Sequence, residues 1–571
     1  MTTRKHKIFK RLREIILFLL KVLVLAAVVI LIWVVYAMGE LRVFLPQYFR
    51  LAGLPNEEKN YLIVFQNNNE IRPAGGFITA FGFANFNYGI FSGLDISDVY
   101  TYSSDRVEIT PPYPLDKFLS KNNRKIPYTF RDANFAPNFP DSAKSVEYML
   151  KLENQNKNID GVIAVNYSFL EDLLVTTGPI EVDGVVFDKD SLFTNLEYTV
   201  NNIDKHDIQD LSKRKNILKN FSKELIRKMA LNPLLLKEAL ATVLESMKKK
   251  DIQMYFKDQT LENIAVNHGW SGKWPDETEG DFLALNEANL GGMKSDRYLT
   301  RNVDYNLIVE GKPGTEDYAL KAKVTVKVKN FGAETVPING LYEGYFRLYV
   351  PKNAAIKVAD MQNPESLREE NNKSLHVFGG MLKMNPGEEK SFSFTYELPS
   401  NLIKNGHYSL LIPKQSGAKN DLYTVTIQFP GDYQVKSDSF QARENFAIYK
   451  GMPEQDLSLN LDFVRDMKPP FVIDQSLDSL NFVSIFFNED VAPVTIDNFS
   501  IEDSNEKVPE QKDSVKIWSV EQTGKKVILK ILGMTKQNEE RYSILIKDVR
   551  DLNGNIIAPN PRKITTVQRL P

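Results

Sequence analysis

The sequence predicts a multidomain, β-rich chain made of an N-terminal transmembrane helix, a mixed α/β domain, a β-sandwich and a second β unit at the C-terminus. Three observations carry this expectation. Ile15 to Met38 is an almost unbroken apolar run; strand-like and helix-like patterns succeed one another between 59 and 299; and from 300 onward the apolar residues recur with period two in short runs separated by turns. A chain of 571 residues is too long for a single core and divides into several domains.

Residues 1–14 form a basic tail, with Arg4, Lys5, Lys7, Lys10, Arg11 and Arg13 against Glu14. At about 1.5 Å per residue the run 15–38 is long enough to cross a hydrocarbon core of roughly 30 Å. Lys21 lies near one end, where a lysine can snorkel, and Trp33 and Tyr36 lie toward the other interface. The positive flank places the N-terminus in the cytoplasm and the bulk of the chain outside, in a single pass. A cleaved signal peptide has a shorter apolar core, roughly 7–15 residues, so the length favours an uncleaved anchor. Residues 39–58 read as a juxtamembrane linker.

Residues 59–299 read as the α/β domain. Strands are expected over Tyr61–Phe65, Gly76–Phe86, Leu94–Thr101 and Gly161–Val165, and helices over Asp141–Leu152 with Asp141 as its cap, Ser168–Val175, Lys213–Met229 and Leu234–Met247. Residues 300–440 read as a β-sandwich from runs such as Ala322–Lys329, Tyr345–Val350 and Ser391–Tyr396. A linker over 441–470 ends at Pro469-Pro470, and 471–571 form the last unit, with strands near Val483–Phe487, Lys526–Ile531 and Tyr542–Ile546.

Composition removes several chemistries. With 71 basic and 73 acidic side chains nothing suggests a nucleic-acid partner. Cysteine is absent, which excludes disulfides, thiol catalysis and cysteine-ligated metals. The 5 histidines are scattered without metal-ligand spacing. No Walker loop, dinucleotide fingerprint or nucleophile elbow occurs.

What remains is the stretch QNNNEIRPAGGF at 66–77, where polar residues and a Gly-Gly pair follow an apolar strand. Glu70 and Arg72 offer a carboxylate and a forked cation beside Gly75 and Gly76, which can take positive φ or admit a close neighbour. Arg131-Asp132 in a proline-rich stretch offers a second pair. Each is readable as a ligand-binding group or as a structural ion pair, and Asn67, Asn68 and Asn69 as turn-formers. In the last unit, Asp548, Asp551 and Asn553 read as an Asx turn in preference to a calcium loop.

The ordered motifs QNNNEIRPAGGF, RDANFAPNFPDSA (131–143), IDGVIAVNYSFLEDLLVTTGPIEVDG (159–184), NLGGMKSDRYLTRNVDY (289–305) and GYFRLYVPKNA (344–354) resemble the bacterial family known as domain of unknown function 4012, over about 60–430. The motifs SIFFNEDVAP (484–493), VILKIL (527–532) and YSILIKDVRDLNGNIIAP (542–559) resemble the bacterial Ig-like domains of surface-layer proteins. More distantly, residues 60–230 are similar to the LytR-CpsA-Psr transferases, which move glycopolymers from polyprenyl pyrophosphate carriers to the cell wall. That likeness implies arginines on a pyrophosphate and a magnesium ion held by carboxylates, for which Arg72, Arg131 and Arg214 with Asp98, Asp105 or Asp132 are the candidates. The chain departs from it after Arg72, where Ala74-Gly75 replaces an aspartate, and in LDISDVY (94–100), which lacks Pro-Arg-Asp. Two functions stand side by side: an anchored envelope protein that binds glycan or lipid-linked glycan or has a structural role, and a divergent glycopolymer phosphotransferase.

Overall fold

The computed structural model describes residues 33–565 apart from 100–108, 119–127, 154–156, 202–207, 314–317, 334–339, 362–364, 368–374, 420, 432, 480, 504–514 and 537–540. Most of the expected anchor, 15–32, lies outside the described residues, as does the basic tail. No helix among the described residues is long and apolar enough to cross a membrane.

The apolar strand Tyr61–Phe65 is the middle of a longer one, β1 (Glu58–Arg72), which forms a hairpin with β2 (Gly75–Asn87); β3 (Ile90–Asp98) continues the meander. The short helix α1 (Tyr48–Ala52) precedes β1; after β3 the chain crosses through a helix, α2 (Phe139–Leu152), and returns as β4 (Gly161–Asn166), parallel to β1. Helix α3 (Tyr167–Thr177), a small hairpin of β5 (Ile180–Val182) and β6 (Val185–Phe187), then α4 (Ile208–Leu231) and α5 (Pro233–Lys248) lead to β7 (Ile252–Phe256). The sheet order is β3-β2-β1-β4-β7.

Alternation along β1 explains the layering. Leu62 and Val64 face a core with Phe81, Phe130, Val146 and Leu150, while Tyr61 faces another with Phe169, Leu173, Phe256 and Trp270. Both sheet faces are thus covered, as a partly parallel α/β sheet requires. The expected linker 39–58 is part of this domain: Phe44 is buried, its ring 5.9 Å from those of both Phe256 and Trp270. Asp141 is not the cap of α2. Asn138 occupies that position because Pro140 lies within the first turn, and Asp141 accepts a hydrogen bond from Asn138 Nδ2 at 2.6 Å.

The β-sandwich begins before residue 300 and extends beyond 440. Strands β8 (Asp281–Phe282) and β9 (Ala284–Asn289) precede β10 (Leu299–Gly311), β11 (Tyr318–Asn330) and β12 (Tyr342–Pro351); β9 pairs with β12, and β8 with the strand His407–Ile412. The segment expected as a linker, 441–470, carries strands Gln441–Arg443, Phe446–Gly451 and Leu457–Arg465, which join the sandwich sheets. Leu459, Leu461 and Phe463 alternate into its core, which is why this stretch is not a free connection. Among the described residues, the last unit has two sheets, one of four strands and one of three, around a core of its own that includes Val483, Ile485, Leu529 and Ile544.

Candidate functional site

The polar stretch at 66–77 is not an exposed turn. It continues β1, and the pairing with β2 jumps from Asn67↔Phe77 to Ile71↔Gly76, so Asn68, Asn69 and Glu70 bulge from the ladder. Every residue from Gln66 to Gly76 is buried. The bulge explains the glycines: a Cβ on Gly76 would lie 2.1 Å from the Asn67 carbonyl carbon, and one on Gly75, at φ +137°, 2.0 Å from Gln66 Oε1.

Asn68 and the backbone around it are satisfied from two sides, whereas the buried side-chain amide of Gln66 has no hydrogen-bond partner among the described residues. Asn68 Oδ1 accepts from the Ser168 N–H at the start of α3 at 3.2 Å, giving that helix end an acceptor that its own cap residue, Asn166, does not supply. Asn68 Nδ2 donates to the Gly417 carbonyl at 3.0 Å. The loop between His407–Ile412 and Asp421–Gln428 thereby docks on the signature. Gln415 Nε2 donates to the carbonyls of Arg72 and Glu287 at 3.1 and 2.8 Å, and its Oε1 accepts from Glu287 N–H at 2.8 Å. Ser416 Oγ lies 3.0 Å from Asn166 Nδ2 and donates to the Lys250 carbonyl at 2.6 Å. From β9, Asn286 Nδ2 donates to the Pro73 carbonyl at 2.9 Å.

Arg72 sits at the centre. Its Nε donates to Asp132 at 3.1 Å, Nη2 to Glu70 at 3.0 Å, and Nη1 to the carbonyl of Asn289, on β9, at 2.6 Å; its guanidinium carbon lies 5.1 Å from the Phe77 ring centroid. Only 3% of the residue is exposed, so the fork is closed off from solvent. Burial raises the Glu70 pKa and Arg72 opposes it. Beside it, Arg301 is the hub of a second cluster: Nε donates to Glu287 at 2.9 Å, Nη2 to Glu287 and to Asp296 at 3.1 Å, and Nη1 is 3.6 Å from Asp421. Asp296 accepts from the Ile71 N–H at 3.1 Å, which ties the two clusters together. Burial, then the neighbouring Glu287, raises the Asp296 pKa against the pull of Arg301, and burial raises Asp421 to about 6.

The other expected site residues are dispersed. Arg131 Nε donates to Thr129 Oγ1 at 3.2 Å in the short turn Phe130–Asp132, and of that pair only Asp132 reaches Arg72. Arg214 lies on α4. Asp98 is buried at the end of β3, opposite Ala80, and Asp105 lies outside the described residues. Among the described residues no group of three or more acidic or histidine side chains is arranged to hold a metal ion.

Two openings flank this buried network at the junction of the α/β domain and the sandwich. One, about 230 Å³, is lined by Asn68, Asn69, Asp296, Arg297 and Lys419; the other, about 540 Å³, by Asp172, Lys249, Asp251, Lys414, Tyr423 and Glu454. Glu171 lines both and accepts from Arg297 at 2.8 Å and from Lys419 at 2.9 Å. Although burial pulls its pKa up, those two cations hold it below the usual value. Burial lowers the pKa of Lys414, whose ammonium donates to the Lys249 carbonyl at 3.0 Å. Sequence reasoning missed the contribution of the loop 413–419; its only signal was a Gly-containing polar stretch between two alternating runs.

Residues 56–200 match the family described as protein of unknown function (DUF4012). The solved structures like this chain include proteins of the LytR-CpsA-Psr family. TagV of Bacillus subtilis is 13% identical, with 38% of this chain and 80% of that one covered and a TM-score of 0.21. Protein gbs0355 of Streptococcus agalactiae is 10% identical, with 38% and 75% covered and a TM-score of 0.25. The N-terminal part of the bacterial S-layer protein SbsC is 16% identical over 17% of this chain, at a TM-score of 0.14; the chain spans only 22% of its length. No curated protein matches the chain.

Proposed function

We propose that the chain is an envelope protein, anchored by 15–38 with its bulk outside the cytoplasm, whose signature motif is a clamp holding the α/β domain and the β-sandwich as one body. In this reading the 540 Å³ opening between them receives a glycan. Arg72 carries the proposal: its guanidinium is spent on Glu70, Asp132 and the Asn289 carbonyl, leaving no face for a pyrophosphate. The opening itself carries both signs of charge and apolar surface from Tyr423 and Met452, a lining suited to a hydroxyl-rich ligand with few formal charges.

The test is made on Arg72→Ala in the intact chain, with thermal melts and binding of a polyprenyl phosphate measured on parent and variant, with and without magnesium. A clamp predicts a loss of roughly 3–5 kcal/mol of stability, because Glu70 and Asp132 are left buried without their cation. It also predicts no lipid-phosphate binding by the parent. Magnesium-dependent binding by the parent, abolished in a variant that melts normally, would replace the clamp with the phosphotransferase reading.

A further inference from the structure

The last residues before the α/β domain show which side of it the anchor leaves from. Lys237, near the start of α5, holds its ammonium 4.6 Å from the Tyr36 ring centroid. A Cβ on Gly39 would meet Leu244 at 3.0 Å, and Lys248, at the end of α5, pairs with Glu40 at 3.2 Å. Lys237, Leu244 and Lys248 share one face of the helix. Residues 36–40 therefore run beside α5 in the same direction, and following the chain back from Tyr36 leads past the N-terminus of α5 to the corner where α4 ends and α5 begins.

That corner carries Leu231 and Leu234, 71% and 70% exposed, with Tyr36 beside it at 64%. It is a built corner: Asn232 Oδ1 accepts from the Leu235 N–H at 3.2 Å, and Pro233 opens the helix. Single exposed leucines are ordinary. These two, however, stand level with the outer end of the apolar run 15–38, where Trp33 and Tyr36 would occupy a membrane interface.

We propose that the α4–α5 corner is a membrane-resting foot, with Leu231, Leu234 and Tyr36 immersed in the interfacial layer of the bilayer and Lys237 at the headgroups. The inference rests on the reading of 15–38 as an anchor. One span leaves a domain free to tilt and rotate; a second contact beside it fixes how the interdomain opening faces the wall.

The chain has no cysteine, so Leu234→Cys and Leu231→Cys each provide one site for a nitroxide on the full-length protein. Inserted into vesicles of phosphatidylethanolamine and phosphatidylglycerol, each label is expected to collide several-fold less with an aqueous nickel complex, and more with oxygen, than a label at Lys547→Cys in the C-terminal unit. Protein that floats with the vesicles while its corner labels stay as nickel-accessible as the control overturns the foot and leaves the anchor standing. Protein that fails to float overturns both. Dipolar broadening between corner labels would show that a second copy covers the corner, which overturns lipid as its occupant.

Discussion

At the scale of single residues, the sandwich contains an acid held without any cation. Asp281 Oδ2 accepts from the hydroxyls of Tyr305 and of Tyr408, the latter at 2.6 Å, and Oδ1 accepts from the Phe282 N–H at 2.8 Å. Burial raises its pKa to about 6 despite these bonds. Since the folded chain holds this proton more tightly than the unfolded one, the contribution to stability is full below about pH 4 and is lost as pH rises through about 6. A displacement of this size is worth on the order of 3 kcal/mol. Asp281→Asn, neutral at every pH, should flatten the fall in melting temperature between pH 4 and pH 7; an unchanged slope would place the titration elsewhere. Arg72 belongs to the other kind of buried charge, paired on every side, and its sequence neighbours disclose only half of that. Glu70 is two residues away, whereas Asp132 and the Asn289 carbonyl arrive from distant segments.

Among the elements, the loop 413–419 has the largest consequence for its length. Gln415 alone spans three backbone groups on two strands, β1 and β9. Removing its amide in Gln415→Ala strands buried partners at roughly 1–3 kcal/mol each where no water replaces it. The expected outcome is faster amide exchange for Ile71 and Glu287, with the cores of both domains still protected, so the clamp opens before either domain melts. Equal exchange in parent and variant would mean that apolar packing, such as Tyr345 against Tyr113 and Phe118, holds the domains together without the loop.

For the whole molecule, the division that matters is between the clamped pair and the C-terminal unit. Few polar contacts cross that second boundary; Asn555 Nδ2 donates to the Asp466 carbonyl at 2.9 Å and Arg465 to the Asn553 carbonyl at 3.3 Å. With its own core and two sheets, the segment 471–571 expressed alone should melt cooperatively with a β-rich spectrum; a disordered fragment would show that the unit leans on the sandwich. By contrast, a fragment ending at residue 300 should not fold well, because it exposes the signature side chains that the loop 413–419 satisfies. Topology is checked separately: protease outside intact spheroplasts should reach residues beyond 40 and spare a tag on the basic N-terminus, and digestion of that tag would refute the single-pass orientation.

Local pattern decided much of this architecture. The apolar periodicities placed β1, β4, α3 and α5 to within a few residues at most termini, and the alternation of Ala322–Lys329 and Ser391–Tyr396 announced the sandwich, because one face of each element must be buried whatever it packs against. The motif 66–77 also stood out as special from its residues alone. What they could not disclose is that it is buried, since polar groups enter a core only when partners from far along the chain satisfy them. For Asn68 that partner is the carbonyl of Gly417, and for Ile71 the carboxylate of Asp296. The same limit explains the strands at 281–289 and 441–465, whose membership of the sandwich depends on pairing with β12 and with Asp421–Gln428 and His407–Ile412. Which face of a polar motif meets water is a property of the tertiary structure, because hydrogen-bond satisfaction is settled by neighbours in space and not by neighbours in sequence.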